Sequence, residues 1–156
     1  MNTDVEFLTA EGQAKLKTEL DQLISVRRRE VAAMIKEAKE AGDISENAGY
    51  DEAKDQQAFL EGRIKYLEDV LKRSKVIENT NGADVISLGS LVTVAEDGEG
   101  PECFRIVGAV EADPAQGRIS NESPLGRALL GKRKGDSALV KTPDGTPLKF
   151  AILKIE

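Results

Sequence analysis

Apolar residues recur at every third or fourth position through two stretches in the first half of the chain. In the first stretch these residues are Leu16, Leu20, Leu23, Val31, Met34 or Ile35, and Ala38, and in the second they are Leu60, Ile64, Leu67 and Leu71. Such spacing is typical of a helix with one apolar face. There is no proline from Leu16 to Leu71, and only the glycines near residues 42–49 suggest a break. The pattern therefore predicts two long helices joined by a turn.

Both apolar stripes are narrow and lie on heavily charged segments. Two such helices joined by a short turn can bury their stripes only against each other, which predicts an antiparallel hairpin with coiled-coil character. Arg27 interrupts the first stripe and is a polar position in this seam. At 1.5 Å per residue, a helix over residues 11–41 would be on the order of 45 Å long.

Beyond about residue 80 the helical stripe gives way to short β-prone runs with most of the glycine and all the proline. The runs predict strands at Ser90–Ala95, Cys103–Gly108, Arg118–Ser120, Ser137–Thr142 and Leu148–Ile155. One short helix is predicted between them, with Ser123 as its N-cap, Pro124 in its first turn and Gly131 as its stop. The fold class is therefore α+β. We expect a hairpin domain at 1–78 with its tip near 43–50, a linker at 79–84 and a second domain at 85–156.

Composition excludes several kinds of chemistry. The 156 residues include no His and one Cys, so a His-based triad, a Cys/His zinc site and an internal disulfide are excluded. Cys103 is expected to be a small core residue. The net charge of -6, shared equally by the two halves, argues against bulk phosphate neutralisation and against an anionic membrane surface. No stretch resembles a signal peptide or a membrane span, so a cytoplasmic protein with no membrane partner is expected.

The predicted turn is strongly acidic. Seven carboxylates lie between Glu37 and Asp55, opposed only by Lys39 and Lys54. Asp43 and Glu46 are three residues apart, so in the first turn of a helix both would project to one side. Two exposed oxygen ligands suit magnesium, which is normally held by one or two carboxylates together with phosphate and water. Such a site needs a partner to complete it.

The same two residues also match a capping box. In that interpretation Asp43 accepts hydrogen bonds from the backbone at the start of the second helix and Glu46 reaches back. Capping boxes are far commoner than shared metal sites, so the spacing alone favours capping. The run Arg27-Arg28-Arg29 is similarly open: it suits an RNA or phosphate contact, but a solvated face with i,i+3 or i,i+4 ion pairs is the default.

Several segments of the chain resemble a known family. They are Leu8-Thr9 with Gly12, Val26-Arg27-Arg28, Gly42-Asp43-Ile44-Ser45-Glu46-Asn47-Ala48-Gly49-Tyr50, Gln56-Gln57, Glu61-Gly62-Arg63-Ile64, Phe104-Arg105-Ile106-Val107-Gly108 and Ser123-Pro124-Leu125-Gly126-Arg127-Ala128-Leu129-Leu130-Gly131-Lys132. Together they resemble the bacterial GreA/GreB transcript cleavage factors over nearly the whole chain. Arg29 and Gly49 depart from the family's usual residues, which are proline and an acidic residue.

The resemblance implies a fold and a function. It implies an N-terminal coiled-coil hairpin and a C-terminal FKBP-like domain with a bent antiparallel sheet and one short helix. It also implies a factor that docks on RNA polymerase, threads the hairpin through the secondary channel and stimulates cleavage of backtracked nascent RNA. The polymerase would remain the nuclease, so the chain is not expected to be an enzyme by itself.

The resemblance also assigns roles to individual residues. Asp43 and Glu46 would help to hold a magnesium ion shared with the polymerase active centre, and a capping role can coexist with this. The remaining assignments are tip-shaping for Asn47, Ala48 and Tyr50, a basic patch near the RNA 3′ segment for Arg27, Arg28 and Lys54, and polymerase docking for Glu122, Ser123 and Pro124. No tightly bound cofactor is expected on the chain alone.

Two other functions remain as alternatives. A Gre-like protein that occupies the secondary channel and inhibits the polymerase would share the fold, but the inhibitors of this kind carry a differently spaced Asp cluster at the tip. A peptidyl-prolyl isomerase is suggested by the FKBP-like half. That half has only Phe104 and Phe150 as aromatic residues, too few to line a typical proline pocket.

Overall fold

A computed structural model of the protein describes residues 5–78 and 84–156. The chain forms two compact units. We call Gln13–Arg73 the hairpin unit, and the described residues up to Gly12 together with those from Ser74 onward the sheet unit. Residues 79–83 of the expected linker lie outside the described residues. The sequence predicts a hairpin domain over residues 1–78, whereas residues 5–12 and 74–78 belong to the sheet unit.

Two long helical segments form the hairpin unit, as predicted. The first consists of α1 (Ala10–Gln22), which begins in the sheet unit, a π-helical segment at Leu23–Arg27 and α2 (Arg28–Glu40). A 3-10 turn at Ile44–Glu46 follows, and α3 (Ala48–Arg73) returns antiparallel. The π-helical segment was not predicted. Its five residues are too few to alter the apolar periodicity visibly.

The seam between the helices is narrow. Val31, Ile35, Ala53, Leu60 and Ile64 are its buried residues. The half-buried residues around them are Leu20, Leu23, Met34 and Tyr50. The sequence pattern did not decide whether Met34 or Ile35 belongs to the apolar stripe, and the structure shows that Ile35 is the buried residue. Near the end of α3 the buried residue is Val70 instead of the predicted Leu71, because a step of three keeps the helical stripe as well as a step of four.

Paired ionic contacts join the two helices beside this seam. Arg28 donates to both carboxylate oxygens of Glu61 at 2.8 Å. Arg63 donates to both oxygens of Glu19 at 2.8 and 3.0 Å. Bidentate geometry of this kind fixes the two partners more firmly than a single contact. The pairs therefore help to fix the alignment of the two helices, whose seam has few apolar residues.

All five strands predicted in the second half are present in the sheet unit. They are β3 (Leu91–Glu96), β4 (Pro101–Val107), β5 (Arg118–Ser120), β6 (Ser137–Lys141) and β7 (Pro147–Ile155), and they lie in the order β5-β4-β3-β7-β6. The sheet is antiparallel as expected at three of its pairings, but β5 pairs with β4 in parallel. Two 3-10 turns at Ala109–Glu111 and Pro114–Gln116 lie between these strands and bring β5 back in the same direction.

One face of this sheet carries the core. Its fully buried residues include Val92, Ile106, Leu129 and Ile152. Helix α4 (Pro124–Leu129) contributes Leu129 to this core, and it is capped as predicted, because the Gly126 N–H donates to Ser123 Oγ at 3.0 Å. The α+β fold with a helical hairpin, a sheet domain and a short helix is thus confirmed.

Cys103 is exposed, contrary to the prediction that it is a core residue. Along β4, Phe104 and Ile106 contact the core, so Cys103 lies on the opposite face of the pleated strand. Its Sγ is 3.4 Å from Thr93 Oγ1 on the neighbouring strand.

A second, two-stranded sheet was missed. Strand β1 (Glu6–Leu8) pairs in parallel with β2 (Ser74–Val76). Gly108 packs against β1 so closely that a Cβ there would lie 1.8 Å from the Phe7 carbonyl oxygen, and only glycine allows this approach. Beyond β1, Glu111 accepts hydrogen bonds from both the backbone N–H and the hydroxyl of Thr9, at 2.8 and 2.6 Å.

Candidate functional site

The tip of the hairpin unit is built around Asp43. Its backbone is extended, and its Oδ1 accepts a hydrogen bond of 3.1 Å from the Ser45 N–H at the start of the Ile44–Glu46 turn. This bond lowers the pKa of the Asp43 carboxyl below its usual value. The side chain is exposed. Asp43 is therefore held as an accessible carboxylate that stays ionised at neutral pH.

Asn47 caps helix α3. Its Oδ1 accepts from the Tyr50 N–H at 3.1 Å, and its Nδ2 donates to the Ala38 carbonyl oxygen of α2 at 2.5 Å. One amide thus satisfies an end of each helix and fixes the width of the turn. The predicted capping box at Asp43 and Glu46 is corrected here, because the 3-10 turn separates Asp43 from α3 and Asn47 takes the capping position.

Glu46 ends the 3-10 turn and is exposed. Within residues 5–78 and 84–156 it makes no hydrogen bond back to the Asp43 backbone, which a capping box requires. Of the two carboxylates, only Asp43 Oδ1 has a protein donor in this part of the chain. The other oxygens of this pair face solvent without a protein donor there, so they are available to an external ligand.

The tip fits a magnesium ion only as part of a larger ligand set. Its donors are hard carboxylate oxygens, the type that Mg²⁺ prefers. Octahedral coordination needs six ligands, which two carboxylates cannot supply. No group of three or more metal-ligating side chains is found among the described residues. The donor set is therefore chemically suitable but incomplete.

The other two tip residues connect this turn to the hairpin. Ala48 is the first residue of α3 and is exposed. Tyr50 is half-buried and packs against the hairpin core, so the first turn of α3 is anchored at the same residue whose N–H donates the cap hydrogen bond. At Gly49 a Cβ would lie 3.3 Å from Asn47 Oδ1, which is a close contact with the cap.

The three predicted basic-patch residues all have partners within the hairpin. Arg27 is half-buried and donates to Glu30 and to Gln56 of α3, each at 2.9 Å. Arg28 is bound to Glu61 across the hairpin, and this hydrogen bond is the main cause of the raised pKa of Arg28. Lys54 donates to Gln57 at 2.8 Å. An RNA phosphate would share or replace these partners.

The three predicted docking residues, Glu122, Ser123 and Pro124, lie in sequence at the start of α4. Glu122 and Pro124 are exposed, and the Glu122 N–H donates to Ser120 Oγ at 3.0 Å. Ser123 Oγ donates to the Ser120 carbonyl oxygen at 2.6 Å while it caps the helix. The turn is thus rigid and presents an acidic side chain beside a proline ring.

Comparison with known proteins identifies the family. A model of the N-terminal domain of transcription elongation factors matches residues 6–76, and a model of the C-terminal domain of the GreA/GreB transcription elongation factors matches residues 80–156. The chain belongs to the GreA/GreB family. The two matches leave only a few residues of the chain unassigned. The fold and the tip geometry described above are thus those of a GreA/GreB chain.

Individual proteins are similar to this chain over nearly its whole length. Transcription elongation factor GreA of Roseiflexus castenholzii is 48% identical over 158 residues, covering 100% of both chains. GreA of Thermomicrobium roseum is 52% identical and covers 96% of each chain. Among solved structures, GreA factor homolog 1 of Thermus thermophilus is 32% identical, covers 97% of this chain and 99% of that one, and has a TM-score of 0.45.

In the described part of this GreA/GreB chain, no helix is long and apolar enough to cross a membrane.

Sequence reasoning missed a groove on the hairpin unit beside the π-helical segment, lined in part by Val26 and Phe59. Phe59 directly precedes Leu60 of the α3 stripe, and its side chain is 82% exposed. The available signal was that position 59 falls outside the spacing of three and four that the stripe follows.

Proposed function

We propose that the protein binds RNA polymerase in its secondary channel and stimulates the polymerase's own endonucleolytic cleavage of backtracked nascent RNA, which rescues arrested complexes. Membership of the GreA/GreB transcription elongation factors supports this function. The observation that carries it is the pair of exposed tip carboxylates, which forms a chemically suitable but incomplete ligand set. The chain acts as an activator, and the catalytic centre belongs to the polymerase.

Asp43 and Glu46 would act as ligands in this proposal. The hydrogen bond from the Ser45 N–H orients the Asp43 carboxylate and lowers its pKa. A magnesium ion shared with the polymerase would supply charge stabilisation and activation of a water near the scissile phosphate. The two carboxylates would complete its ligand set only after docking, because the chain alone offers too few donors.

Asn47 would position these ligands without touching the RNA. Its hydrogen bonds to Tyr50 and Ala38 set the distance between the two helix ends from which the Ile44–Glu46 turn projects. Ala48 and Tyr50 would support the same turn, Ala48 by its small size and Tyr50 by packing on the hairpin core. A turn held this firmly needs little reordering when it enters the catalytic centre.

The remaining predicted residues would serve binding. Glu122, Ser123 and Pro124 form the rigid turn expected to dock on the polymerase. Arg27, Arg28 and Lys54 would face the nascent RNA 3′ segment, exchanging their present partners for phosphate oxygens. These exchanges replace one set of charged contacts with another, so the expected gain is orientation of the RNA more than affinity.

The decisive experiment uses backtracked elongation complexes with 5′-labelled RNA, magnesium and polymerase from the same source. The wild-type protein should produce shortened RNA that resumes extension when nucleotides are added. Asp43→Asn and Glu46→Gln should each lower stimulated cleavage by a factor on the order of 100. Both positions are exposed, so the variants should fold like wild type. Polymerase binding should therefore stay within about twofold of wild type.

Glu40→Gln provides the matched control. Glu40 is an exposed carboxylate at the end of α2, outside the Ile44–Glu46 turn, so the variant should cleave like wild type. Intact RNA with slowed extension would instead identify a channel inhibitor. Loss of polymerase binding in Asp43→Asn or Glu46→Gln would mean that the tip is structural, and would contradict the assigned role.

A further inference from the structure

The groove beside the π-helical segment lies within the hairpin unit and has a volume of about 910 Å³. Leu23, Val26 and Arg27 of the π-helical segment line one side, and Gln56 and Phe59 of α3 line the other. Isolated π-helical turns are rare and occur frequently at functional sites, because they displace side chains from the ordinary helical positions. The groove thus coincides with the one irregular stretch of these helices in the described hairpin.

The groove exposes apolar side chains. Phe59 is 82% exposed and Val26 is 53% exposed, and neither belongs to the buried hairpin seam. A single exposed apolar residue is ordinary on a protein surface. Here an aromatic ring and a valine share one concave surface with the half-buried Leu23. Such an arrangement suits the insertion of an apolar side chain from a partner.

The rim of the groove is negatively charged. Its two arginines are already engaged, since Arg27 pairs with Glu30 at 2.9 Å and Arg63 with Glu19 at 2.8 Å. Glu52 and Asp55 also line the groove, are exposed, and have no ionic partner in the part of the chain that is described. The charge left over at the rim is therefore that of two carboxylates, which selects a basic partner.

We infer that this groove docks a polypeptide segment of RNA polymerase that inserts an apolar side chain against Phe59 and Val26 and places a lysine or arginine beside Glu52 and Asp55. The inference rests on the proposed function and deepens it by naming a second contact surface. RNA fits the side of the groove around Phe59 poorly, because its phosphates would meet Glu52 and Asp55, which have no ionic partner among the described residues. A second copy of the chain would present the same negative rim and be repelled.

The first test measures the affinity of variants for RNA polymerase. Phe59→Ser and Asp55→Lys should each weaken binding by roughly tenfold, since truncated or charge-reversed anchor residues typically cost at least this much. At saturating protein both variants should still stimulate cleavage, because the tip carboxylates are intact. Both positions are exposed, so circular dichroism should show unchanged helix content.

Two control variants isolate the groove from general surface effects. Tyr66→Ser removes another exposed aromatic from α3, 45% exposed and outside the groove, while Arg63 keeps its paired contact with Glu19. Glu37→Lys makes the same change of charge as Asp55→Lys at an exposed α2 position outside the groove. Both controls should bind within about twofold of wild type. Equal loss in variants and controls would overturn the inference.

The second test places a benzophenone photocrosslinker at position 59 and irradiates elongation complexes. A crosslink to a polymerase polypeptide, at a segment with an apolar residue next to a basic one, would support the inference. A crosslink to RNA or to a second copy of the chain would overturn it. If wild type binds and stimulates polymerase while Phe59→Ser binds equally well, only this inference fails; if wild type does neither, the proposed function fails with it.

Discussion

The hairpin unit and the sheet unit are stabilised in different ways. Among the described residues, the sheet unit closes around ten buried apolar residues from strands, loops and α4, whereas the continuous seam of the hairpin unit has five. The hairpin adds two bidentate ion pairs, Arg28 with Glu61 and Arg63 with Glu19, that join its helices at the surface. Its stability is thus distributed along a thin structure with most side chains exposed.

The two units also differ in how far their proposed functional residues depend on a buried core. In the hairpin unit the tip carboxylates need no burial, because the low pKa of Asp43 comes from a local hydrogen bond with Ser45. The turn that carries them is held by one amide, Asn47. In the sheet unit the proposed docking turn at Glu122–Pro124 is attached directly to the core through α4. A small core is therefore sufficient where the proposed chemistry is supplied by a partner.

The largest expected effect is a core truncation in each unit. Ile106→Ala in the sheet unit should lower the free energy of unfolding by about 4 kcal/mol, and Ile64→Ala in the hairpin seam by about 2.5 kcal/mol, because a two-helix seam can close partly around the lost atoms. Urea unfolding followed by circular dichroism measures both. Leu139→Ala, at a 68% exposed position, is the control and should change stability by less than about 0.5 kcal/mol. A larger loss for Ile64→Ala than for Ile106→Ala would reverse the comparison.

A smaller effect is expected at the tip. Asn47→Ala removes the α3 cap and the bond to Ala38, and should cost about 1 kcal/mol. Asn47→Asp keeps the acceptor for Tyr50 but loses the donor to Ala38, so it should cost less than Asn47→Ala. Under the proposed function, both variants should bind polymerase normally and stimulate cleavage less, in the same order as their stabilities. Equal cleavage by wild type, Asn47→Ala and Asn47→Asp would show that the turn does not need the hydrogen bonds of Asn47.

The contribution of an exposed cross-hairpin ion pair should be smaller still. A double-mutant cycle with Glu19→Gln and Arg63→Gln should give a coupling energy of about 0.5 kcal/mol at low salt, because both side chains remain about 40% exposed and solvent screens the pair. Raising the ionic strength should reduce this coupling. A coupling that did not change with salt would mean that the pair is effectively buried.

Acidification should weaken the hairpin by a modest amount. The hydrogen bond from Arg28 lowers the pKa of Glu61, and the bond from Ser45 lowers that of Asp43. A carboxyl with a lowered folded pKa stabilises fully above its ordinary value and loses that contribution as pH falls through the folded value. Thermal melts should therefore show a loss of stability that begins below the ordinary glutamate pKa of 4.5. Glu61→Gln should show a shallower loss, and an identical slope would exclude this pair as a cause.

The sequence was sufficient for features that depend on local periodicity. The stripes around Val31 and Ile64 predicted the hairpin, and alternating runs with Pro and Gly turns predicted the five main strands. Features that depend on distant partners could not be predicted in this way. Strands β1 and β2 have three residues each and pair across more than sixty positions, and the parallel direction of β5 depends on the path after β4.

The site was predictable to a similar degree. Spacing and resemblance pointed to Asp43 and Glu46, but the spacing favoured a capping box that the structure does not form, because Asn47 caps α3 instead. That assignment depends on a 3-10 turn, which brings Asn47 within reach of Ala38 on the opposite helix. The exposure of Phe59 agrees with its position outside the stripe spacing, but the groove beside it depends on a π-helical segment that the sequence did not predict.

The central claim, that the tip carboxylates complete a ligand set held partly by the polymerase, is tested most directly by a magnesium titration of RNA cleavage in backtracked complexes. Wild-type protein should lower the magnesium concentration for half-maximal cleavage by roughly tenfold, because two additional hard ligands tighten a partial site. The double variant Asp43→Asn/Glu46→Gln should leave that concentration where it is without any factor. An equal shift with the double variant would contradict the account.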